Sequence, residues 1–500
     1  MKNILEYLEK SAEKYPEKIA IADRDKSYTF TEFKNSASLM GNHPSLKNIS
    51  NSPVGVFASH SAETIIMMFG VLYSGNFYIP LNPELPCDKL AQIINDSGMA
   101  VILGNNQEET ARQSGFDGTY IDFTDIPQNN DYAIIPETLP TAPMFAIYTS
   151  GSTGKPKGVQ KNHLSMISFI EAYTDEFGFD ENIVIGNQTP FFFDASAKDI
   201  YLMLKTGARI EILPAEFFSF PIMLIKYLNE RRVSFISWVP TALSIVTKLN
   251  TFSEVLPLYL EKVFFVGEAF PAKQLKKWMT ALPDVRFVNL YGSSETAGIC
   301  CFCEITEAPE EDEQLPIGKP LSNCKVFLMD DGKFVTDGVG EIHVSGDALA
   351  DCYYNDEEKT LNSFFIGELP DGSKSRIFRT GDIAKYNENG DLIFVSRRDN
   401  QIKHMGYRIE LGEIEHTAQS IDGVAKACCV YNKKRQKIIL VCEPSAGSSI
   451  TADDIRRTIK TKLADYMHPA KVLTMEALPL NANGKTDRPL IEKIVMKEKN

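Results

Sequence analysis

Short apolar runs alternate with longer amphipathic segments through residues 1–291. In the clearest part, apolar runs at 209–213 and 263–266 come before segments at 220–230 and 272–281 whose apolar positions recur every three or four residues. A period near 3.6 predicts a helix, and a short apolar run between turn residues predicts a buried strand. Strands separated by helices predict parallel sheets with crossover connections, in which ligands bind at the carboxyl ends of strands.

The pattern changes twice further along the chain. Residues 318–346 contain short strands with Asp-Gly turns, which predict a small antiparallel β unit. Residues 411–475 follow the order helix, strand, strand, helix, strand, which is typical of a compact α+β domain. We therefore predict an α/β chain with a large N-terminal domain of crossover-connected sheets at 1–398, a small C-terminal domain at 399–500, and a hinge in the charged segment 396–400.

Composition and charge exclude several classes of protein. A chain of 500 residues exceeds what one hydrophobic core usually supports, and 43% apolar with 24% charged residues is ordinary for a globular protein. A net charge of −14 argues against a nucleic-acid partner. The sequence has no signal peptide and no apolar run of membrane-spanning length, so we expect a cytoplasmic protein without a membrane partner. The nine cysteines lack zinc-ligand spacing and are expected to be reduced thiols.

One stretch indicates phosphate binding. An apolar run at 144–148 is followed by glycines, hydroxyl residues and lysines at 149–158. Glycine-rich backbone can turn several N–H groups toward one point, hydroxyls add donors, and lysines add positive charge, as a polyphosphate site requires. No Ser or Thr follows a Gly-Lys pair, so the spacing differs from that of an ordinary P-loop NTPase.

Other candidate residues have ordinary explanations when each is taken alone. Asp382 could cap a turn, Glu295 could cap a helix, and Lys485 could be a solvated lysine. Their order together with the phosphate stretch is more informative. The sequence resembles the adenylate-forming superfamily, and within it the stand-alone amino-acid adenylation domains of the nonribosomal peptide synthetase and D-alanine–carrier protein ligase type. The matching motifs lie at 148–158, 193–196, 289–295, 379–382, 401–410 and 483–485.

The resemblance implies a reaction and a set of ATP-binding residues. A carboxylate would attack the α-phosphate of ATP, release pyrophosphate and then pass as an acyl group to a thiol. Seven residues are implied to bind phosphate: Thr149, Ser150, Gly151, Ser152, Thr153, Gly154 and Lys157. Twelve are implied to bind the rest of the nucleotide: Gly267, Glu268, Ala269, Asn289, Leu290, Tyr291, Gly292, Ser293, Ser294, Asp382, Val395 and Arg397. Tyr291 would stack on adenine, and Asp382 would accept both ribose hydroxyls.

The resemblance also implies catalytic and moving parts. Lys485 would stabilise charge on the α-phosphate, and Glu295 would bind Mg²⁺. The small domain would be mobile about Asp399, and a second position would bring the loop with Lys403 and Gly406 to the site. The acceptor would be the phosphopantetheine thiol of a separate carrier protein, with an acyl- or aryl-CoA ligase as the alternative. Ser293-Ser294 stands where relatives usually have Pro-Thr, which makes that loop less rigid.

The acid pocket is also implied by the resemblance. Asp194 matches the carboxylate that binds a substrate α-ammonium, although it could instead cap the following helix. The pocket would further contain Lys198, Ser237, Phe264, Val266, Leu290, Gly298 and Ile299. A buried ammonium needs a partner, so Lys198 indicates a substrate with a side-chain carboxylate, such as glutamate or aspartate. Alternatively, Lys198 pairs with Asp194 or Asp199 or reaches solvent, and the substrate is alanine or another small amino acid.

Overall fold

The computed structural model describes residues 1–127, 132–150, 155–311, 313–398, 401–433, 435–480 and 486–497. The chain forms two compact units. The first contains Met1–Pro83, Asp96–Tyr148 and Gly158–Arg398, and the second contains Glu84–Asn95, Thr149–Lys157 and Asp399–Asn500. Across the described ranges, every helix is too short or too polar to span a bilayer.

The strands of the described residues carry labels in chain order. They are β1 (Ile19–Ala22), β2 (Ser27–Thr29), β3 (Pro53–Phe57), β4 (Phe77–Leu81), β5 (Val101–Gly104), β6 (Thr119–Asp122), β7 (Pro143–Thr149), β8 (Lys157–Asn162), β9 (Val184–Asn187), β10 (Arg209–Ile212), β11 (Phe235–Trp238), β12 (Lys262–Val266), β13 (Arg286–Tyr291), β14 (Cys301–Ile305), β15 (Lys319–Pro320), β16 (Cys324–Asp330), β17 (Lys333–Val335), β18 (Val339–Gly346), β19 (Cys352–Tyr354), β20 (Phe364–Glu368), β21 (Lys374–Tyr386), β22 (Leu392–Arg397), β23 (Gln401–His404), β24 (Tyr407–Glu410), β25 (Val424–Asn432), β26 (Lys437–Pro444) and β27 (Lys471–Thr474).

The α-helices are labelled in the same way. They are α1 (Leu5–Lys14), α2 (Phe30–Gly41), α3 (Pro44–Lys47), α4 (Ala62–Tyr73), α5 (Cys87–Ser97), α6 (Glu108–Gln113), α7 (His163–Phe177), α8 (Ala197–Thr206), α9 (Pro221–Glu230), α10 (Pro240–Lys248), α11 (Ala272–Ala281), α12 (Glu357–Ser363), α13 (Leu411–Gln419), α14 (Ala452–Lys462) and α15 (Arg488–Lys497).

The large sheet of the first unit has the order β15-β14-β13-β12-β11-β9-β10-β1-β2. Its pairs from β13 to β1 are parallel, which confirms the predicted crossover architecture, whereas β14, β15 and β2 are antiparallel at its edges. Side chains alternate between the two faces of a strand. Phe264 and Val266 therefore pack in the core cluster that contains residues of α7 and α8, whereas Val263 and Phe265 pack in the other.

Two further sheets complete the first unit. One has the order β19-β8-β7-β4-β3-β5-β6, and its strands from β6 to β4 pair in parallel. The other has the order β17-β16-β18-β21-β20, with β22 also paired to β21, and all of its pairs are antiparallel. Its strands β16 to β18 lie in the predicted small β unit at 318–346, but the sheet continues to β22 and carries Asp382 on β21.

The C-terminal part of the second unit is an α+β fold with its own core. Its three-stranded sheet has the order β25-β26-β27, and α13 and α14 contribute Ile414 and Ile459 to the core beneath it. The order α13, β25, β26, α14, β27 is the predicted one. The hairpin of β23 and β24 precedes α13.

Candidate active site

Two loops at one edge of the large sheet form the centre of the candidate site. Val266 pairs in parallel with Leu290, so the loops that follow β12 and β13 leave the sheet side by side. Gly267 adopts a φ of 98°, which favours glycine, and the Glu268 carboxylate accepts hydrogen bonds from the Thr241 N–H at 3.1 Å and the Thr241 hydroxyl at 2.6 Å. These contacts fix the loop, and Ala269 beyond them is exposed.

The loop after β13 is held by close packing and by backbone hydrogen bonds. A Cβ atom at Gly292 would lie 2.4 Å from the Gly298 carbonyl oxygen, so glycine is required there. The Ser293 N–H donates to Thr296 Oγ1 at 3.0 Å, and the Gly298 N–H donates to the Ser293 carbonyl at 2.9 Å. Ser294 is buried. These contacts fix the loop.

The structure brings together three of the predicted nucleotide-binding residues. Asp382 is buried on β21, where its Oδ2 accepts from the Tyr291 hydroxyl and its Oδ1 accepts from Arg397 Nη1 at 2.5 Å. Burial raises the pKa of the Tyr291 hydroxyl well above its usual value, and the Asp382 carboxylate raises it further. Asn289 lies on the same strand as Tyr291 and donates to the Pro316 carbonyl at 2.7 Å. Val395 is exposed on β22.

Asp194 lies in a short 3₁₀ helix, Asp194–Ser196, directly before α8. The residue at the N-cap of α8 is Ser196, so Asp194 does not cap that helix as the alternative explanation required. Its partly exposed carboxylate has no hydrogen-bond partner in the described part of the chain. Gly298 lies next to it, since a Cβ atom at Gly298 would be 3.7 Å from Asp194 Oδ2.

The predicted pocket residues share one face of the large sheet. Ser237 pairs with Phe264, and Val266 pairs with Leu290, so all four side chains point to the same side. Helix α7 covers this face, and the Phe177 ring lies 4.7 Å from the Phe264 ring between centroids. Ile299 is buried in the same core cluster.

Two hydroxyl groups near this face are buried without hydrogen-bond partners of normal geometry among the described residues. They belong to Tyr173 on α7 and Ser237 on β11. Burial raises the pKa of Tyr173, the Asp199 carboxylate raises it further, and the Ser237 hydroxyl opposes both effects. The two hydroxyls are therefore close to each other and to Asp199.

Lys198 is buried and already has an anionic partner. Its Nζ lies 3.2 Å from Asp199 Oδ1 and donates to the Ala195 carbonyl at 2.8 Å. Asp199 Oδ2 accepts from Asn187 Nδ2 at 2.8 Å. Burial raises the pKa of Asp199, and Lys198 opposes that shift. The arrangement matches the alternative in which Lys198 pairs with Asp199.

The sequence reasoning missed Lys161 on β8. This lysine is 2% exposed, and its Nζ donates to the Ala348 carbonyl at 3.1 Å. Burial lowers its pKa to about 7, and the carboxylates of Asp194 and Glu295 are the main groups that oppose the shift. The sequence gave no clear signal for it, because residues 157–162 show no apolar alternation that would place Lys161 on a buried face.

Glu295 fits a magnesium site in which the protein supplies one carboxylate and the substrate and water supply the other ligands. Its side chain is fully buried, and its Oε1 accepts from the Tyr353 hydroxyl at 2.7 Å. Mg²⁺ is usually held by one or two carboxylates, with substrate phosphates and waters completing the shell. The described residues contain no cluster of three or more metal-ligating side chains, so phosphate oxygens and water would supply the remaining ligands.

The phosphate stretch is described in part, because Gly151, Ser152, Thr153 and Gly154 lie outside the described residues. The Thr149 hydroxyl is buried and has no hydrogen-bond partner among the described residues, which fits a phosphate oxygen as its acceptor. Ser150 Oγ donates to the Arg408 carbonyl at 2.7 Å. Lys157 is buried at the start of β8.

The remaining predicted residues belong to the C-terminal part of the chain. Lys485 and Asp399 lie outside the described residues. Lys403 lies on β23, and Gly406 lies in the turn between β23 and β24 with a φ of 83°. Their positions on a hairpin give the predicted loop a defined backbone.

Two family models match the chain. The model described as AMP-binding enzyme matches residues 8–354, and the model described as AMP-binding enzyme C-terminal domain matches residues 413–485. The chain therefore belongs to the AMP-binding enzyme family, whose members are adenylate-forming ligases.

Curated relatives and solved structures agree with this assignment. The chain is 30% identical to the D-alanine–D-alanyl carrier protein ligase of Bacillus cytotoxicus over 97% of this chain and 98% of the relative. It is also 30% identical to bacitracin synthase 1 of Bacillus licheniformis over 97% of this chain, but it spans only 9% of that longer protein. The structure of holo-PA1221, an NRPS protein containing adenylation and PCP domains, superposes with a TM-score of 0.84 at 23% identity, covering 99% of this chain and 84% of the other. The fold is thus that of an adenylation domain.

Proposed function

We propose that this ligase activates the carboxylate of an amino acid as an acyl-adenylate and passes the acyl group to the phosphopantetheine thiol of a separate carrier protein. The observation that carries the proposal is the Asp194 carboxylate, which is partly exposed and has no hydrogen-bond partner within the described residues. A substrate α-ammonium would supply the missing partner. The full-length similarity to a D-alanine–D-alanyl carrier protein ligase supports both the amino acid and the carrier.

In the proposed reaction, different residues bind the different parts of ATP. Thr149, Ser150, Thr153 and Lys157 hold the β- and γ-phosphates, while Asp382 binds the ribose and Tyr291 the adenine. Glu295 holds Mg²⁺, which screens phosphate charge when bound. Lys485 stabilises the charge that grows on the α-phosphate. Because the reaction consumes ATP, we also propose that the protein is cytoplasmic.

The contacts of Lys198 favour a small neutral amino acid over an acidic one. Its ammonium lies 3.2 Å from Asp199 Oδ1, so the charge is already paired inside the protein. A substrate carboxylate would have to compete with that partner. We therefore place alanine or another small amino acid first, and glutamate or aspartate second.

ATP–pyrophosphate exchange with a panel of acids tests the proposal. We expect exchange with at least one small neutral amino acid among glycine, D-alanine, L-alanine and serine. Exchange with glutamate and aspartate should be much weaker. Exchange with acidic amino acids alone would restore the hypothesis of an acidic substrate. Exchange with aryl or fatty acids alone, accompanied by product formation with coenzyme A, would replace the proposal by an acyl- or aryl-CoA ligase. Intact-mass measurement of carrier proteins after incubation with the active acid tests the acceptor.

A further inference from the structure

The proposed ribose-binding carboxylate lies on a bulge of the small β unit. The pairing of β18 with β21 shifts between Glu341 and His343, so that Ile342 faces residues 380–382. Extra residues in one strand interrupt the ladder and bend the strand, and for this reason bulges re-aim side chains at functional sites. The bulge therefore decides the direction in which the Asp382 carboxylate points.

Groups outside the regular ladder hold the backbone of this bulge. Gly381 has a φ of 75°, and its N–H donates to Glu341 Oε1 at 3.0 Å. The Gly381 carbonyl accepts from the Arg398 N–H at 2.8 Å, and Thr380 Oγ1 donates to the Ile342 carbonyl at 2.8 Å. A backbone N–H that has left the ladder needs another acceptor, and the Glu341 side chain supplies it.

The two carboxylate oxygens of Glu341 make contacts that contribute unequally to stability. Oε2 lies 2.8 Å from Arg398 Nη1, but the Arg398 side chain is 60% exposed, and exposed ion pairs contribute little. The Glu341 side chain is 5% exposed, so loss of the Oε1 contact would leave the Gly381 N–H without its acceptor in a place that water reaches poorly. The bond to Gly381 is therefore the more important of the two.

We propose that Glu341 is a positioning residue for the nucleotide ribose, acting by fixing the bulge that carries Asp382. The inference rests on the proposed function, in which Asp382 accepts the two ribose hydroxyls. Arg398 lies within the predicted hinge segment 396–400 and directly precedes Asp399, so the same carboxylate also contacts that segment.

The test compares ATP with 2′,3′-dideoxy-ATP in the adenylation reaction. Wild-type enzyme should prefer ATP, because the dideoxy compound lacks both hydroxyls. Glu341→Ala should reduce that preference roughly tenfold, as expected for the loss of one well-directed hydrogen-bonding group. Glu341→Gln keeps an oxygen acceptor for the Gly381 N–H and should retain most of the preference. Glu388→Ala, an exposed glutamate in the β21–β22 turn, is the matched control and should retain all of it.

A failure of the ribose role of Asp382 and a failure of the positioning role of Glu341 would give different results. If wild-type enzyme does not distinguish the two nucleotides, the ribose role of Asp382 is wrong. If wild-type enzyme does distinguish them and Glu341→Ala keeps the full preference, the positioning role is wrong. General damage to the fold would slow the reaction with both nucleotides equally and would also count against the inference. If Glu341→Ala does not yield folded protein, Glu341→Met is measured in its place under the same criteria.

Discussion

Two carboxylates of the candidate site, Asp382 and Asp194, are held in opposite ways. Asp382 is 5% exposed, and each of its oxygens accepts a hydrogen bond, one from Tyr291 and one from Arg397. Asp194 is partly exposed and has no hydrogen bond to any described residue. A carboxylate has about four lone-pair sites, so Asp382 can still accept from a ligand while its direction is already fixed.

The two sides of the proposed site differ in what fixes their side chains before a substrate binds. In the proposed function, the nucleotide side is thus organised before ATP binds, which lowers the entropy cost of binding. On the proposed acid side, the charge of Asp194 acts over a distance on buried Lys161, and the proposed substrate ammonium would supply a direct partner. The predictions below test this difference.

The largest effect is expected from Asp194→Asn. Removal of one member of a partly buried charge pair usually costs about 2 to 5 kcal/mol, so kcat/KM for the amino acid should fall by roughly a hundredfold or more. The KM for ATP should change little. Pyrophosphate exchange at varied amino-acid concentration measures both, with exposed Asp175→Asn on α7 as the control. Unchanged kcat/KM would show that Asp194 does not bind the ammonium.

Asp382→Asn should have the next largest effect. It should impair the binding of ATP and not that of the amino acid. Hydrogen bonds to charged groups contribute about 1.5 to 3 kcal/mol, so the KM for ATP should rise roughly ten- to a hundredfold. The KM for the amino acid at saturating ATP should stay close to that of wild type. Asp337→Asn, in an exposed turn, is the matched control. Equal losses for both substrates would mean that the two sides of the site are not separate.

Lys161→Met should stabilise the protein in a pH-dependent way. The folded-state pKa of about 7 lies below the ordinary 10.5, so between these values the unfolded chain binds a proton that the folded chain lacks. The stability cost of Lys161 therefore grows as the pH falls through this window. The gain in unfolding free energy should be larger at about pH 7 than at about pH 9.5, by about 3 kcal/mol. Denaturant melts at both pH values measure it, with exposed Lys385→Met as the control. A pH-independent gain would contradict the assignment.

Tyr291→Phe should have the smallest effect. The substitution removes the hydroxyl that donates to Asp382 but keeps the ring proposed to stack on adenine. Because Arg397 still holds the other oxygen, the KM for ATP should rise only about two- to fivefold. Steady-state titration with ATP measures the change. A rise as large as that of Asp382→Asn would show that Tyr291, and not Arg397, fixes the carboxylate.

The periodic parts of the fold were predictable, and the polar parts were not. Strands β10 and β12 and helices α9 and α11 lie within one residue of the predicted bounds, because one buried face gives each a clear period. Strand β8 was missed, since its residues 157–162 include two lysines, a glutamine and an asparagine and show no apolar alternation. The β23–β24 hairpin was missed for the same reason. Such strands depend on partners that are distant in sequence.

The motifs of the sequence, through their resemblance to the adenylate-forming superfamily, were sufficient to identify an adenylate-forming enzyme and to select its candidate residues. The sequence left open which charges pair with one another. It allowed Lys198 to meet the substrate, Asp194, Asp199 or solvent, and it gave no partner for Lys161. The tertiary structure pairs Lys198 with Asp199 and joins Tyr291 to Asp382 across 91 residues of chain. Periodicity depends on neighbours along the chain, whereas the pairing of buried charges depends on which distant segments the fold brings together.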